Sequence, residues 1–205
     1  TYERKFTAYF EVLQLIALNK KCLELYIKSG SIQKLPFLVE YYSEICLSIL
    51  IPVLSVIPSV LTPQLLKILE TLSSQYPIKV IRLISVLASN NLEIGMYNQL
   101  LDFLLAQSNH FIQNNASLPL VHTLYKLVKN SPKLLESRGQ YLIRIYSSCL
   151  LSSSNECIIS TYNALIMLRP QLLPAESDVL CRHLQDHLIR PKTLQLLCFT
   201  RPVKV

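Results

Sequence analysis

The stretch SEICLSILIPVLSVIP at residues 43–58 decides the fold, because it aligns without a gap with NECIISTYNALIMLRP at residues 155–170. Each copy opens with a residue that favours a helix N-terminus, continues with Glu and reaches Pro at its end. Two further segments, residues 75–90 and 117–132, fit the same frame and carry Pro in the first turn, where its missing N–H does no harm. These matched segments predict helical repeats, in which neighbouring units share one apolar core.

The rest of the chain also has the spacing of helices. Apolar residues recur at three- and four-residue intervals, for example at Phe6, Phe10, Leu13 and Ala17. The predicted breaks fall at 29–30, 58–63, 76–77, 90–91, 114–115, 131–132, 138–139, 152–155, 169–170, 174 and 191. With 51% hydrophobic residues, 16% charged residues and 3 Gly, the composition excludes disorder. The sequence therefore predicts an all-α fold of about ten helices.

The segment CLELYIKSGSIQKL at residues 22–35 resembles the opening of an armadillo repeat, in which a short helix ends at Gly before the next begins. The paired leucines in residues 83–87, 124–127 and 164–168 resemble the third helix of that repeat. Helix starts at 43, 75, 117 and 155 are 32, 42 and 38 residues apart, near the ~40–47 of armadillo and HEAT units. The resemblance implies a right-handed α-solenoid of about four repeats, forming a single domain over residues 1–205 and excerpted from a larger protein.

The resemblance does not extend to the nuclear-import adaptors of that family. Those proteins resemble one another in a ladder of Trp and Asn, whereas this chain has no Trp. The corresponding positions hold Ser55, Val86, Lys126 and Met167.

A membrane-spanning alternative comes from residues 45–66, which carry no charge and are long enough to cross a bilayer. Pro52, Pro58 and Pro63 interrupt this run, and no basic cluster or aromatic belt flanks it. The pattern favours a buried helix followed by a Pro-rich turn.

Catalytic motifs are absent from the sequence. It contains no Gly-rich phosphate loop, GxSxG, HExxH or CxxC. We therefore predict no enzyme activity, no cofactor and no small-molecule substrate. Cys181, His183 and His187 are weak candidates for metal ligands, since the two histidines would share one face of a continuous helix. An exposed polar face is the favoured interpretation there, as it is for His110 and His122.

Two abundant residue types bear on environment and packing. The six cysteines are spread through apolar runs, which predicts buried thiols and a reducing, cytoplasmic location. Among the tyrosines, Tyr141 and Tyr146 lie between leucines and isoleucines and are predicted to pack in the core.

The net charge of +7 favours acidic partners. Its candidate binding residues are Lys126, Lys129, Lys133, Arg138 and Arg144. The predicted function is a non-catalytic protein–protein interaction scaffold or regulatory module, such as the tail of a signalling or kinase-containing protein. Binding of nucleic acid or another acidic surface is the alternative, although no per-repeat polar code of an RNA reader is visible.

Overall fold

The computed structural model describes residues 8–30 (without 10, 14 and 17), 43–56, 58, 63–90, 92–168 and 174–199. Within these ranges all regular structure is helical, which confirms the all-α class. The helices are α1 (Lys20–Lys28), α2 (Ser43–Val56), α3 (Pro63–Ser73), α4 (Pro77–Ala88), α5 (Ile94–Gln113), α6 (Ser117–Asn130), α7 (Leu134–Cys149), α8 (Asn155–Leu168), α9 (Pro174–His183) and α10 (Arg190–Phe199).

The chain divides into two compact units, residues 1–93 and residues 94–205. In the first unit, α4 packs against both α2 and α3. Lys79 Nζ lies 2.7 Å from Glu44 Oε1, and Asn90 Nδ2 donates a hydrogen bond of 3.2 Å to the carbonyl of Leu54. The paired residues are 35 and 36 positions apart, one pair at each end of the helices. Helices α2 and α4 therefore run parallel.

In the second unit each helix from α5 to α8 contacts the next one in the chain. In addition, α5 packs on α7, and α8 packs on α6 and α10. Contacts across these pairs again join residues at a near-constant separation, 36 for Asp102 and Arg138 and 38 for His122 and Ser160. The second unit thus has two layers, with α5 and α7 in one and α6, α8 and α10 in the other.

Helices α2 and α8 lie within the aligned segments 43–58 and 155–170. Both begin at the first residue of the match and extend for 14 residues. Their burial also follows the alignment: Leu50 corresponds to Tyr162 and Val53 to Leu165, and all four are buried. The predicted burial of Cys46, Cys157, Leu50 and Leu165 is confirmed.

The turn between α5 and α6 shows how local chemistry redirects the chain. Asn115 adopts a left-handed conformation with φ 57°. The backbone N–H of Ala116 donates to the carbonyl of Phe111 at 2.9 Å, and that of Asn115 to the carbonyl of Ile112 at 3.3 Å. This is a Schellman motif, completed by the burial of both Phe111 and Ala116. The predicted break at 114–115 is confirmed.

Two predicted local features are wrong. Helix α7 continues through Arg138 and Gly139, because Leu134, Leu142 and Tyr146 bury one continuous face and outweigh the cost of about 0.5–1 kcal/mol for a helical Gly. The side chain that caps α8 belongs to Ser154, whose hydroxyl accepts a hydrogen bond of 3.3 Å from the backbone N–H of Cys157.

Two predictions of burial are wrong for particular side chains. Tyr146 is buried, but Tyr141 is 56% exposed, because five residues along a helix rotate a side chain by about 140°. Cys46, Cys149 and Cys157 are buried, whereas Cys22, Cys181 and Cys198 are exposed, since each of these three lies on the outer face of its helix.

At the armadillo-like opening, α1 ends at Lys28 and Gly30 adopts φ 72°, as a helix that stops at Gly requires. Residues 31–35 of that segment lie outside the described residues, as do Phe6, Phe10 and Ala17. Helix α2 ends at Val56, and among the described residues no helix combines the length and apolarity needed to cross a membrane.

Candidate functional site

The predicted basic residues belong to two neighbouring helices and the turn between them. Lys126 and Lys129 lie on α6, Lys133 lies in the turn before α7, and all three are exposed. Lys126 follows His122 by four residues and Lys129 follows Tyr125 by four, so these side chains share one side of α6.

Arg138 and Arg144 extend from α7, in the other layer of the second unit. The guanidinium of Arg138 forms a two-pronged ion pair with Asp102 on α5, at 3.0 Å from Nε to Oδ1 and 3.5 Å from Nη2 to Oδ2. This hydrogen bond and charge raise the pKa of Arg138 above its ordinary value. Arg144 lines a separate groove between α5 and α7, together with Tyr141 and Ser148. The union of all five charges into one patch remains a prediction.

The groove between α6 and α8 has a volume of about 440 Å³, within the range of about 300–1,000 Å³ for ligand pockets. Val121, His122 and Tyr125 line it from α6, and Ser160 and Asn163 line it from α8. His122 Nε2 and Ser160 Oγ are 3.1 Å apart and join the two walls. The carboxamide of Asn163 is exposed and makes no hydrogen bond with the described residues.

The surroundings of this groove are basic. Helix α6 contains no Asp or Glu, and α8 carries one acidic residue, Glu156, in its first turn. Lys126 and Lys129 follow the groove residues of α6 towards its C-terminal end, where cations also favour the helix dipole. The groove is therefore polar in its middle and positive at one end.

A buried hydroxyl lies next to the wall of the groove. Tyr146 on α7 is fully buried, and its hydroxyl makes no hydrogen bond within the part of the chain that is described. Burial raises the pKa of this phenol, and Tyr125 is among its electrostatic neighbours. An unpaired buried hydroxyl costs about 1–3 kcal/mol, so the core behind Tyr125 is less stable than a fully satisfied one.

The weak metal candidates do not form a site in the described residues. Helix α9 ends at His183 and turns follow it, so His187 is not one helical turn from His183 as predicted. His183 Nδ1 lies 2.7 Å from the hydroxyl of Tyr162, and the two rings meet edge to face. Cys181 is exposed, and no cluster of three or more potential ligands occurs among the described side chains.

The three buried thiols are held in an unreactive state. Burial raises the pKa of the Cys46 and Cys149 thiols to about 12 each, so both remain protonated at neutral pH. Burial likewise raises the pKa of Cys157. These three thiols pack as small apolar groups.

Sequence reasoning placed His122 at the surface but missed the other polar residues that line the groove, which are Tyr125, Ser160 and Asn163. A signal for the groove was present. The matched frames start at 117 and 155, and the same offset of 38 pairs His122 with Ser160 and Tyr125 with Asn163.

The chain matches no protein-family model, no curated protein and no solved structure. Any inference about its function therefore depends on its own residues and contacts.

Proposed function

We propose that this chain is a non-catalytic protein-interaction module, built as a short right-handed α-solenoid of armadillo- or HEAT-like units. One observation carries the proposal: helices two apart in the chain lie side by side and parallel, and the residues they join are 35 to 38 positions apart in both units. A stack of two-helix units produces such contacts, because each unit repeats the position of the one before. Two helices per unit favour the HEAT-like arrangement.

Parallel helices from successive units leave a groove between them, and α6 and α8 provide one. Its walls carry exposed polar groups and a flanking pair of lysines, which suit the binding of a polypeptide segment. The raised pKa values of Cys46 and Cys149 argue against these two thiols as nucleophiles. We further propose that the module works as part of a cytoplasmic scaffold.

A photo-crosslinking amino acid at Asn163 tests this function. Asn163 lines the groove and is exposed, whereas Gln99 is exposed on α5 in the other layer and serves as the control position. In cells that express the whole protein, we expect a discrete protein adduct from position 163 that is absent from position 99. The same adducts from both positions, or none from position 163, would contradict a protein-binding groove.

Nucleic-acid binding is the second candidate function, favoured by the absence of acidic residues on α6 and α10. Binding of this kind weakens steeply with salt, because each neutralised phosphate releases counterions. Tight, salt-dependent binding of single-stranded RNA, together with no protein adduct at position 163, would favour this alternative.

A further inference from the structure

The groove between α6 and α8 has two chemically different ends. Helices α6 and α8 both pack on α7 and are joined to it by short turns, so they run parallel, and the contact of His122 with Ser160 sets their offset at 38 residues. At this offset the first turn of α6 is level with Glu156, and Lys126 and Lys129 are level with Ala164 and Met167. A carboxylate therefore marks the N-terminal end of the groove, and two ammonium groups mark its C-terminal end. A ligand that enters this groove meets opposite charges along its length.

The polar groups between these ends can donate as well as accept hydrogen bonds. The carboxamide of Asn163 and the hydroxyl of Tyr125 can donate N–H and O–H groups to a ligand, whereas Nε2 of His122 is already in contact with Ser160 Oγ. Carboxylate oxygens accept hydrogen bonds from such donors, and ammonium groups add charge-assisted bonds that are about twice as strong. The chemistry of the groove thus matches an anionic, oxygen-rich ligand.

Resting on the proposed binding function, we propose that this groove binds an acidic polypeptide segment, with its carboxylates at the end marked by Lys126 and Lys129. Charge complementarity selects this occupant: α6 has no acidic residue, and Glu156 repels a carboxylate from the opposite end. The bound segment has a fixed direction, since reversing it would bring its acidic end to Glu156.

The first test measures, by fluorescence anisotropy at low salt, the affinity of a fluorescent twelve-residue peptide in which Glu alternates with Ser over one half and Gly alternates with Ser over the other. A peptide with Gln in place of Glu is the neutral control, and single-stranded RNA of equal charge is the nucleic-acid control. We expect the Glu peptide to bind at least on the order of tenfold more tightly than the Gln peptide. Tighter binding of the RNA than of the Glu peptide would overturn the proposal in favour of nucleic acid.

Charge-matched variants locate the site. The double variant Lys126→Glu, Lys129→Glu alters the groove, and the double variant Lys133→Glu, Arg144→Glu alters net charge equally outside it. We expect on the order of a tenfold loss of affinity in the first and less than about threefold in the second, because screening weakens distant charges. Equal losses would show general attraction to a basic protein and would overturn the site.

Asn163→Asp provides a nearly isosteric variant that places a negative charge in the middle of the groove. We expect it to weaken binding of the Glu peptide several-fold without changing the midpoint of thermal unfolding, since the side chain is exposed. An unchanged affinity of this variant for the Glu peptide would show that the peptide binds outside the groove. If a protein adduct forms at position 163 but none of these charge substitutions changes the affinity for the Glu peptide, the protein-binding function is supported and the acidic ligand is rejected.

Discussion

Helices α2 and α8 occupy equivalent positions in the matched segments, yet they are buried with different chemistry. Ile49 and Leu50 of α2 correspond to Thr161 and Tyr162 of α8, and all four side chains are buried. At these two positions α2 buries only hydrocarbon, whereas α8 also buries two hydroxyl groups. The position in the matched segment determines whether a side chain is buried, but the neighbouring helices determine which chemistry is stable there.

Both hydroxyls of α8 have partners. Thr161 Oγ1 donates to the carbonyl of Cys157 at 2.7 Å, and the hydroxyl of Tyr162 lies 2.7 Å from His183 Nδ1. Thr193 on α10 is buried, and its hydroxyl donates to the carbonyl of Ile189 at 3.3 Å. Tyr162 therefore joins α8 to α9 through a directional contact, which the apolar Leu50 of α2 cannot provide.

The largest expected effect tests the shared burial of the two helices. Leu165→Ala in α8 and Leu50→Ala in α2 should each lower the free energy of unfolding by about 2–5 kcal/mol, because each leaves a cavity in a packed core. Chemical denaturation followed by circular dichroism measures both. A loss below about 0.5 kcal/mol for either variant would show that its helix is not part of a packed core.

The next largest expected effect tests the polar contacts that α8 makes and α2 does not. Tyr162→Phe should cost about 1–3 kcal/mol, since it removes the 2.7 Å contact between the Tyr162 hydroxyl and Nδ1 of the half-buried His183. Tyr146→Phe is the matched control, because the hydroxyl it removes has no hydrogen-bond partner among the described residues. This control should be neutral or stabilising. Equal losses in the two variants would contradict a specific role for the Tyr162 contacts.

A smaller effect should appear as a pH dependence. Burial lowers the pKa of His183 below its ordinary value of 6.5; Arg182 lowers it further, and Asp186 partly opposes the shift. Near pH 6.5 the unfolded chain therefore binds more protons at this residue than the folded chain. The contribution of neutral His183 to stability is present above pH 6.5 and is lost as the pH falls through the lowered folded-state pKa.

Denaturation curves between pH 7.5 and 5 measure this dependence. We expect the stability to fall on acidification, and to fall less steeply in His183→Gln, which cannot take up the proton. An identical pH dependence in the two proteins would assign the effect to other groups.

The smallest expected effect concerns the ion pairs that link parallel helices in each unit. Glu44 and Lys79 join α2 to α4, and Asp102 and Arg138 join α5 to α7. All four side chains are a third or more exposed, so double-mutant cycles should give coupling energies of about 0.2–1 kcal/mol that decrease with salt. Coupling well above this range in one pair alone would show that the two contacts are not equivalent.

The sequence alone determined the helical class and the equal starts of α2 and α8 in the aligned segments. Apolar spacing, Pro and Asn at the breaks and the aligned segments of α2 and α8 are local properties, and a helix is stabilised largely by local hydrogen bonds and one apolar face. The burial of Leu50 and Leu165 followed from that spacing. The left-handed Asn115 was also predictable as a break, because Asn tolerates positive φ.

The tertiary structure decided the features that depend on contacts between helices. Local breaking signals at Gly139 and Pro52 were overridden, because continuous packing of α7 and α2 outweighs the cost of these residues. Tyr141 and Tyr146 have similar sequence neighbours, yet the packing of α7 buries one and exposes the other.

The groove depended on both the local sequence and the packing of distant helices. Its lysines were visible in the sequence as a stripe on α6, but Ser160 and Asn163 join them only because α8 packs beside α6 with an offset of 38 residues. In the same way, Arg138 looked like a binding residue until α5 placed Asp102 against it. Local spacing determines which side of a helix a residue occupies, and only the packing of distant helices determines what lies opposite it.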